Sequence, residues 1–432
     1  MSDNVLTDLI ALGVATWVIA ALCFYLLLRR AIFNLLDPLV VVNIALPFSA
    51  ALLAVLCATE LVTWDKFTLF VAVLLAYLAG GRIAAAFFGR GSFREALSTA
   101  LADIREREIT AVLVITAGVT LIVAVLGLQA GAEGDSRLAF GRLFRPIILV
   151  QNGLFLFSLV LLLARSMPVP RAGLWLALLI VLSVPFSGKA VLVPIIYWFG
   201  IKLYLQRKRI RVGTALWSLV VIVVGVAVMG AIAYKSTNLA TAFLLFTNRL
   251  WMSGDVYILA YQRDALESIH ANYPVSFLAY VMHPITSLVG VRGYEKPLGA
   301  MLASEVLRAD VLTGPNPQLP VVLDYFFPEN YGAVLPLAFV TGFLVIGIRP
   351  LGMFIASRSR SRYVRIGGIV AAIFAPVAGF VDTSLVVMAL VGIAAAAGVL
   401  VLMELLRPVR PRDALATAMP RTPTLLNSHA PP

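Results

Sequence analysis

The sequence predicts an all-α, polytopic membrane protein with about eleven transmembrane helices and one large extramembrane loop. Apolar runs of about twenty residues recur along the chain, the length of helix needed to cross a bilayer core about 30 Å thick. These runs do not alternate polar and apolar residues, as strands of a membrane barrel would, and hydrocarbon cannot satisfy an open backbone, so helices are the spanning solution. The composition agrees: of 432 residues, 61% are hydrophobic and 13% charged, roughly half the charged fraction of a soluble domain.

In chain order the spans fall at about 5–28, 39–62, 67–88, 109–128, 146–164, 172–186, 189–205, 212–233, 332–348, 366–381 and 384–406. The first follows an acidic start (Asp3, Asp8) and lacks a small-residue cleavage pattern, so it reads as a span and not a removed signal peptide. The loops between spans sort by charge. Arg29 and Arg30, Arg90, Arg94, Arg105 and Arg107, Arg165 and Arg171, and Arg207, Lys208, Arg209 and Arg211 all fall on one side. So do Arg349, Arg358, Arg360, Arg362 and Arg365 and, after the last span, Arg407, Arg410 and Arg412. Opposite loops carry Glu60, Asp65, Glu133, Asp135 and Asp382, with Arg137, Arg142 and Arg145 as a local exception. The positive-inside rule then places the N-terminus outside and the C-terminus inside, on the cytoplasmic face.

This divides the chain into an N-terminal bundle of about eight spans (1–233), a large loop on the non-cytoplasmic side (234–331), about three C-terminal spans (332–406) and a cytoplasmic tail (407–432) whose Pro, Ser, Thr and Ala content predicts disorder. Within the loop, 239–246 and 276–291 are apolar enough to dip into the bilayer. The stretch 89–108 carries Phe93, Leu97, Leu101 and Ile104 at helical spacing and reads as an amphipathic helix on the cytoplasmic lipid surface. The net charge of +12 is explained by one-sided loops, and no aromatic-interleaved basic domain or zinc spacing points to nucleic acid. Cys23 and Cys57 sit inside apolar runs, so neither a disulfide framework nor a metal site is indicated.

Candidate functional residues concentrate on the outer side. Ser187-Gly188-Lys189 joins two short spans, and Lys189 reads either as an anion ligand facing a cavity or as a lysine snorkelling to the headgroups. Arg249, Arg263, Arg292 and Lys296 are cations on the side that the positive-inside rule leaves poor in them. As a set they suit a diphosphate headgroup, since arginine holds phosphate oxygens with a planar fork. Asp255, Asp264, Glu267, Asp324 and Glu329 are the outer-loop carboxylates. His270, in a polar stretch, and His283, in an apolar run, are the other possible bases; a lone histidine in an apolar run is more often a hydrogen-bonded structural residue, and His283 reads either so or as catalytic. No metal-ligand helix pair, DxD, phosphate loop or nucleophile elbow accompanies them, so no cofactor is expected. The most patterned stretch is Thr313-Gly314-Pro315-Asn316-Pro317, followed by Asp324-Tyr325-Phe326-Phe327 and Asn330-Tyr331-Gly332. It reads either as a cavity lining with aromatic platforms for sugar rings or as a structural cap on the bundle.

The Ser-Gly-Lys turn, the arginine-bearing outer loop and the Gly-Pro-Asn-Pro…Asp-Tyr…Tyr-Gly run resemble the Wzy-type O-antigen and oligosaccharide repeat-unit polymerases of the O-antigen polymerase and ligase group. The resemblance is sharp at 187–189, 249 and 313–332. It implies a GT-C-like, metal-independent glycosyltransferase that joins undecaprenyl-diphosphate-linked oligosaccharides at the periplasmic face, with membrane lipids and a chain-length regulator as partners. Arginines would hold the donor diphosphate and a base would activate the acceptor hydroxyl. Arg249 matches the family's loop arginine and Asp324 its acidic residue before the aromatic. With the residues singled out above, the expected substrate ligands are Lys189, Arg249, Arg263, Arg292, Lys296, Asn316, Tyr325 and Tyr331, and the catalytic candidates are His283, Asp324 and Asp255. Lys189 stands where the family commonly has arginine, which keeps the charge and loses the fork. Gly332 matches the glycine entering the next span. An O-antigen ligase and a lipid-linked oligosaccharide flippase or other transporter are the alternatives; a transporter should show two related halves, and none is evident.

Overall fold

The computed structural model describes residues 3–29, 37, 39, 45–88, 93–102, 104–129, 144–164, 166–187, 198, 201–202, 205, 238, 241, 255–261, 265–273, 275–289, 291, 296–309, 315–380 and 382–406. The seventh expected span apart from residues 198, 201, 202 and 205, the whole eighth, the 239–246 stretch apart from residue 241, and the tail after 406 lie outside these. Among the described residues the regular structure is helical throughout. In order come α1 (Asp3–Leu28), α2 (Ala45–Ala58), α3 (Trp64–Phe87), α4 (Phe93–Ala102), α5 (Glu106–Gln129), α6 (Arg145–Leu161) and α7 (Val169–Ser187). Then follow α8 (Asp255–Tyr261), α9 (Ala265–Asn272), α10 (Phe277–Thr286), α11 (Leu298–Leu307) and α12 (Leu319–Phe326), and finally α13 (Tyr331–Arg358), α14 (Arg362–Phe374) and α15 (Thr383–Leu405). Five of these contain segments long and apolar enough to cross a membrane: Thr7–Leu27, Trp64–Phe87, Glu106–Leu126, Tyr331–Arg358 and Thr383–Leu405.

Small residues set the helix packing. Where α3 crosses α13, a Cβ on Gly80 would fall 2.0 Å from the Phe339 carbonyl oxygen, and one on Gly342 would fall 1.9 Å from that of Tyr77. Gly153 of α6 and Gly392 of α15 meet in the same way. With lipid on the outside there is little hydrophobic drive between apolar helices, so close backbone approach and interhelical hydrogen bonds hold them. Thr116 and Ser158 hydroxyls lie 2.9 Å apart between α5 and α6, and the Gln151 amide donates to Thr120 at 3.2 Å.

Polar contacts collect at the two ends of the bundle. At one end Arg362 bridges Glu108 and Glu404, Arg171 pairs with Glu106, and the Ser166 hydroxyl donates to the Ile104 carbonyl. At the other end Lys66, at the start of α3, pairs with Asp324 of α12. There too the Leu319 N–H donates to the Phe380 carbonyl, ahead of α15.

Three sequence expectations are corrected. The ninth span does not stop at 348, because α13 continues to Arg358. Arg349 is therefore no loop residue. It is buried and forms two 2.7 Å bonds to Asp37, with a third from its Nε to the Ala372 carbonyl. Nor does the 89–108 stretch lay its apolar face on lipid. Phe93, Leu97, Leu101 and Ile104 are buried, and α4 packs against α13 and α14. Finally, the helix of the sixth span extends beyond 172–186 at both ends, as α7 runs from Val169 to Ser187.

Candidate functional site

A cavity of about 440 Å³ opens where α3, α8, α9 and α12 meet, within the size range of small-molecule sites. Its base is an ion pair. Lys66 Nζ lies 2.8 Å from Asp324 Oδ2, and the Asp324 side chain is 5% exposed. The same ammonium stands 5.2 Å from the centre of the Tyr261 ring. A buried carboxylate is costly unless paired and hydrogen-bonded; Lys66 supplies the pairing, and the apolar face of α12 buries Asp324 among Val321, Val322, Leu323 and Tyr325.

The walls come from residues far apart in sequence. His270 of α9 sits edge-on to Tyr325 at 5.4 Å between ring centres, and the Tyr325 hydroxyl donates to the Tyr273 carbonyl at 2.6 Å. Burial raises the Tyr325 phenol above its ordinary range. Tyr261 goes further up, through burial first and the neighbouring Asp324 carboxylate second. Both phenols are neutral hydrogen-bonding groups at neutral pH. Glu60, Asp65, Glu267 and Glu329 complete the polar lining.

Two of these carboxylates stand on unusual backbone. Glu60 and Glu329 both have φ of 58°, in the left-handed region that favours glycine. Glu60 follows α2, where the Leu61 N–H returns to the Leu56 carbonyl at 3.0 Å in a helix cap that usually carries glycine. Glu329 is the third residue of a turn closed by the Asn330 N–H on the Phe327 carbonyl, with Pro328 second. That third position also prefers glycine when its φ is positive. The chain thus holds a carboxylate at two cavity positions where its backbone would be served better by no side chain.

Of the residues expected from sequence, Asp324 and Tyr325 line the cavity. His283 does not; its Nε2 lies 3.3 Å from Arg145 Nη1, at the start of α6. Asp255 opens α8 without reaching the cavity lining, Lys296 lies just ahead of α11, and Asn316 is exposed in the extended approach to α12. Tyr331 is exposed at the first position of α13. Lys189, Arg249, Arg263 and Arg292 lie outside the described residues. Among the described residues no group of three or more His, Cys, Asp or Glu side chains could hold a metal ion.

Sequence reasoning overlooked Lys66 and Tyr261 and ranked His270 below His283. Lys66 carried a usable signal: it is a cation in a loop that otherwise holds Glu60 and Asp65, the same anomaly that singled out the outer-loop arginines. Tyr261 carried none, because its role depends on α8 docking beside α3. No family model, curated protein or solved structure matches this chain.

Proposed function

We propose that the chain is a glycosyltransferase of the bacterial inner membrane, with about eleven spans in a GT-C-like arrangement. In this reading it joins undecaprenyl-diphosphate-linked oligosaccharide units at the periplasmic face. The observation that carries the reading is Asp324. It is the acidic residue matched by the family resemblance, and it is a buried carboxylate in a cavity walled by Tyr325, Tyr261 and His270. Aromatic faces and carboxylates suit a sugar, since ring C–H faces pack on aromatics and hydroxyls donate to carboxylates.

The described lining holds five carboxylates against Lys66 and His270. A diphosphate would be repelled there, so the cavity takes the acceptor sugar. The donor diphosphate belongs with Arg249, Arg263 and Arg292 of the same outer loop, and with Lys189. In the reaction the acceptor hydroxyl oxygen bonds to the donor anomeric carbon, and the bond from that carbon to the diphosphate oxygen breaks. The electron pair leaves on the diphosphate and the hydroxyl proton passes to Asp324. Lys66 orients the carboxylate for that transfer. Positioning and cations near the leaving group do most of the work, because the diphosphate is already a good leaving group.

The test uses membrane vesicles holding the full chain and undecaprenyl-diphosphate-linked repeat units of its host, with products resolved as a ladder. Asp324→Asn should slow chain growth by about 10²–10⁴-fold, the usual worth of a general base, at unchanged membrane abundance. Asp324→Glu should retain part of the activity. A normal ladder from Asp324→Asn would remove Asp324 from the chemistry, and no ladder from the unaltered chain would overturn the polymerase reading.

A further inference from the structure

The sequence marks 276–291 as apolar enough to touch the bilayer, and the site just described does not use that property. The stretch contains α10, a ten-residue helix with two unlike faces. Phe277, Tyr280, Val281 and Pro284 turn inward: Phe277 and Tyr280 each pack 5.5 Å from Phe326, and Pro284 is buried. Leu278, Met282 and Ile285 recur at helical spacing on the other side. There Leu278 is 71% and Ile285 38% exposed.

The level of α10 is fixed by its neighbours. The Tyr280 phenol hydrogen-bonds Asp382, the N-cap of α15, and three residues on, His283 meets Arg145, the first residue of α6. Since α6 and α15 touch at Gly153 and Gly392, each about nine residues in, they run side by side from the same end. Consecutive turns of α10 therefore cross the beginnings of two packed apolar helices. At that same end exposed Trp64 and Tyr331 open the spanning helices α3 and α13. Aromatic residues at span ends mark the boundary between headgroups and hydrocarbon.

We infer that α10 lies in the plane of the bilayer surface and that its Leu278–Met282–Ile285 face is seated in lipid acyl chains. The occupant is bulk lipid, because this exposed apolar face lies at the beginnings of two packed apolar helices, one of which, α15, is long and apolar enough to cross a membrane. An amphipathic helix at this depth buries its apolar side just below the headgroups. The aromatic contacts then run without a break from membrane to site: Phe277 to Phe326, Phe326 to Tyr325 at 4.8 Å, and Tyr325 to His270 on the cavity wall. The cavity thus opens at the bilayer surface, where a membrane-borne substrate arrives without leaving the lipid. The inference stands apart from sugar transfer, since depth is measured without substrate.

The full chain is reconstituted in vesicles of phosphatidylcholine and phosphatidylglycerol, with Cys23→Ala and Cys57→Ala as background. Nitroxides are attached at Leu278→Cys, Ile285→Cys and, as an aqueous reference on the cavity rim, Glu267→Cys. The ratio of oxygen to nickel-chelate accessibility should be several times higher at 278 and 285 than at 267. Equal ratios at all three would overturn the inference, whether or not the protein polymerises sugar. Should the cysteine-free background not fold, a photoreactive benzophenone side chain at 278 of the otherwise unaltered chain gives the same answer. Lipid adducts at 278 and none at 267 support the inference, and adducts to neither or equally to both refute it.

Discussion

Replacing Arg349 by methionine should destabilise the protein by about 3–5 kcal/mol, the range for leaving one member of a buried ion pair without its partner. The upper part of that range fits this pair. Asp37 is fully buried and Arg349 is 3% exposed, and the fork is bidentate, with both nitrogen–oxygen distances at 2.7 Å. The 2.9 Å bond from the Leu39 N–H to Asp37 Oδ1 is present in both forms, so it cancels from the difference and leaves the loss of the ion pair alone. The discriminating variant is the double replacement Arg349→Met with Asp37→Leu. Two apolar groups of similar volume should recover most of the loss, because the desolvation of both charges disappears together. Unfolding of the full chain in mixed micelles of dodecyl maltoside and SDS, followed by helical circular dichroism, gives the three differences for a double-mutant cycle. A single-variant loss below about 1 kcal/mol, or a double variant as unstable as the sum of the singles, would refute the claim that the pair is buried and coupled. Activity per folded molecule should be unchanged, since Arg349 lies in the half of α13 away from Tyr331 and the cavity.

Glu329→Gly should stabilise the fold by roughly 0.5–1 kcal/mol, as relief of the left-handed backbone outweighs the added chain entropy, while acceptor binding weakens. A lower thermal midpoint would show that the turn is not strained, and unaltered transfer kinetics would remove the Glu329 carboxylate from the site. Gly80→Val should collapse membrane abundance, since its Cβ would sit 2.0 Å from the Phe339 oxygen, whereas Gly118→Val, with nothing within 4 Å, should accumulate normally. Equal accumulation of both on an immunoblot would contradict the close packing of α3 and α13.

Hydropathy alone made the spanning helices legible, because a bilayer demands length and apolar content and little else. It failed where a charge is buried in protein. Arg349 looked like one more loop arginine, since nothing local distinguishes a guanidinium that meets Asp37 across 312 residues from one that meets water. The same blindness put α4 on lipid. Its spacing of Phe93, Leu97, Leu101 and Ile104 specifies an apolar partner without saying whether that partner is lipid or the side of α13. Periodicity reports a face; what covers the face is decided by tertiary packing.

The site was legible to the extent that it announces itself by misplaced charge. Asp324 and Tyr325 stood out within a proline-fixed motif, and the outer-loop arginines stood out against the positive-inside rule. Lys66 obeys the same logic at a span end, where a lysine ordinarily snorkels. In the fold it does the opposite, turning its ammonium inward onto Asp324 and over Tyr261. His283 is named ahead of His270 among the catalytic candidates, although a lone histidine in an apolar run is more often a hydrogen-bonded structural residue. The fold places His270 on the wall of the cavity and His283 against Arg145. For a membrane-surface site, then, the more telling residue is the one whose charge is too costly at its depth unless a partner from another element meets it. At this cavity Lys66 is that residue, and Asp324 is its partner.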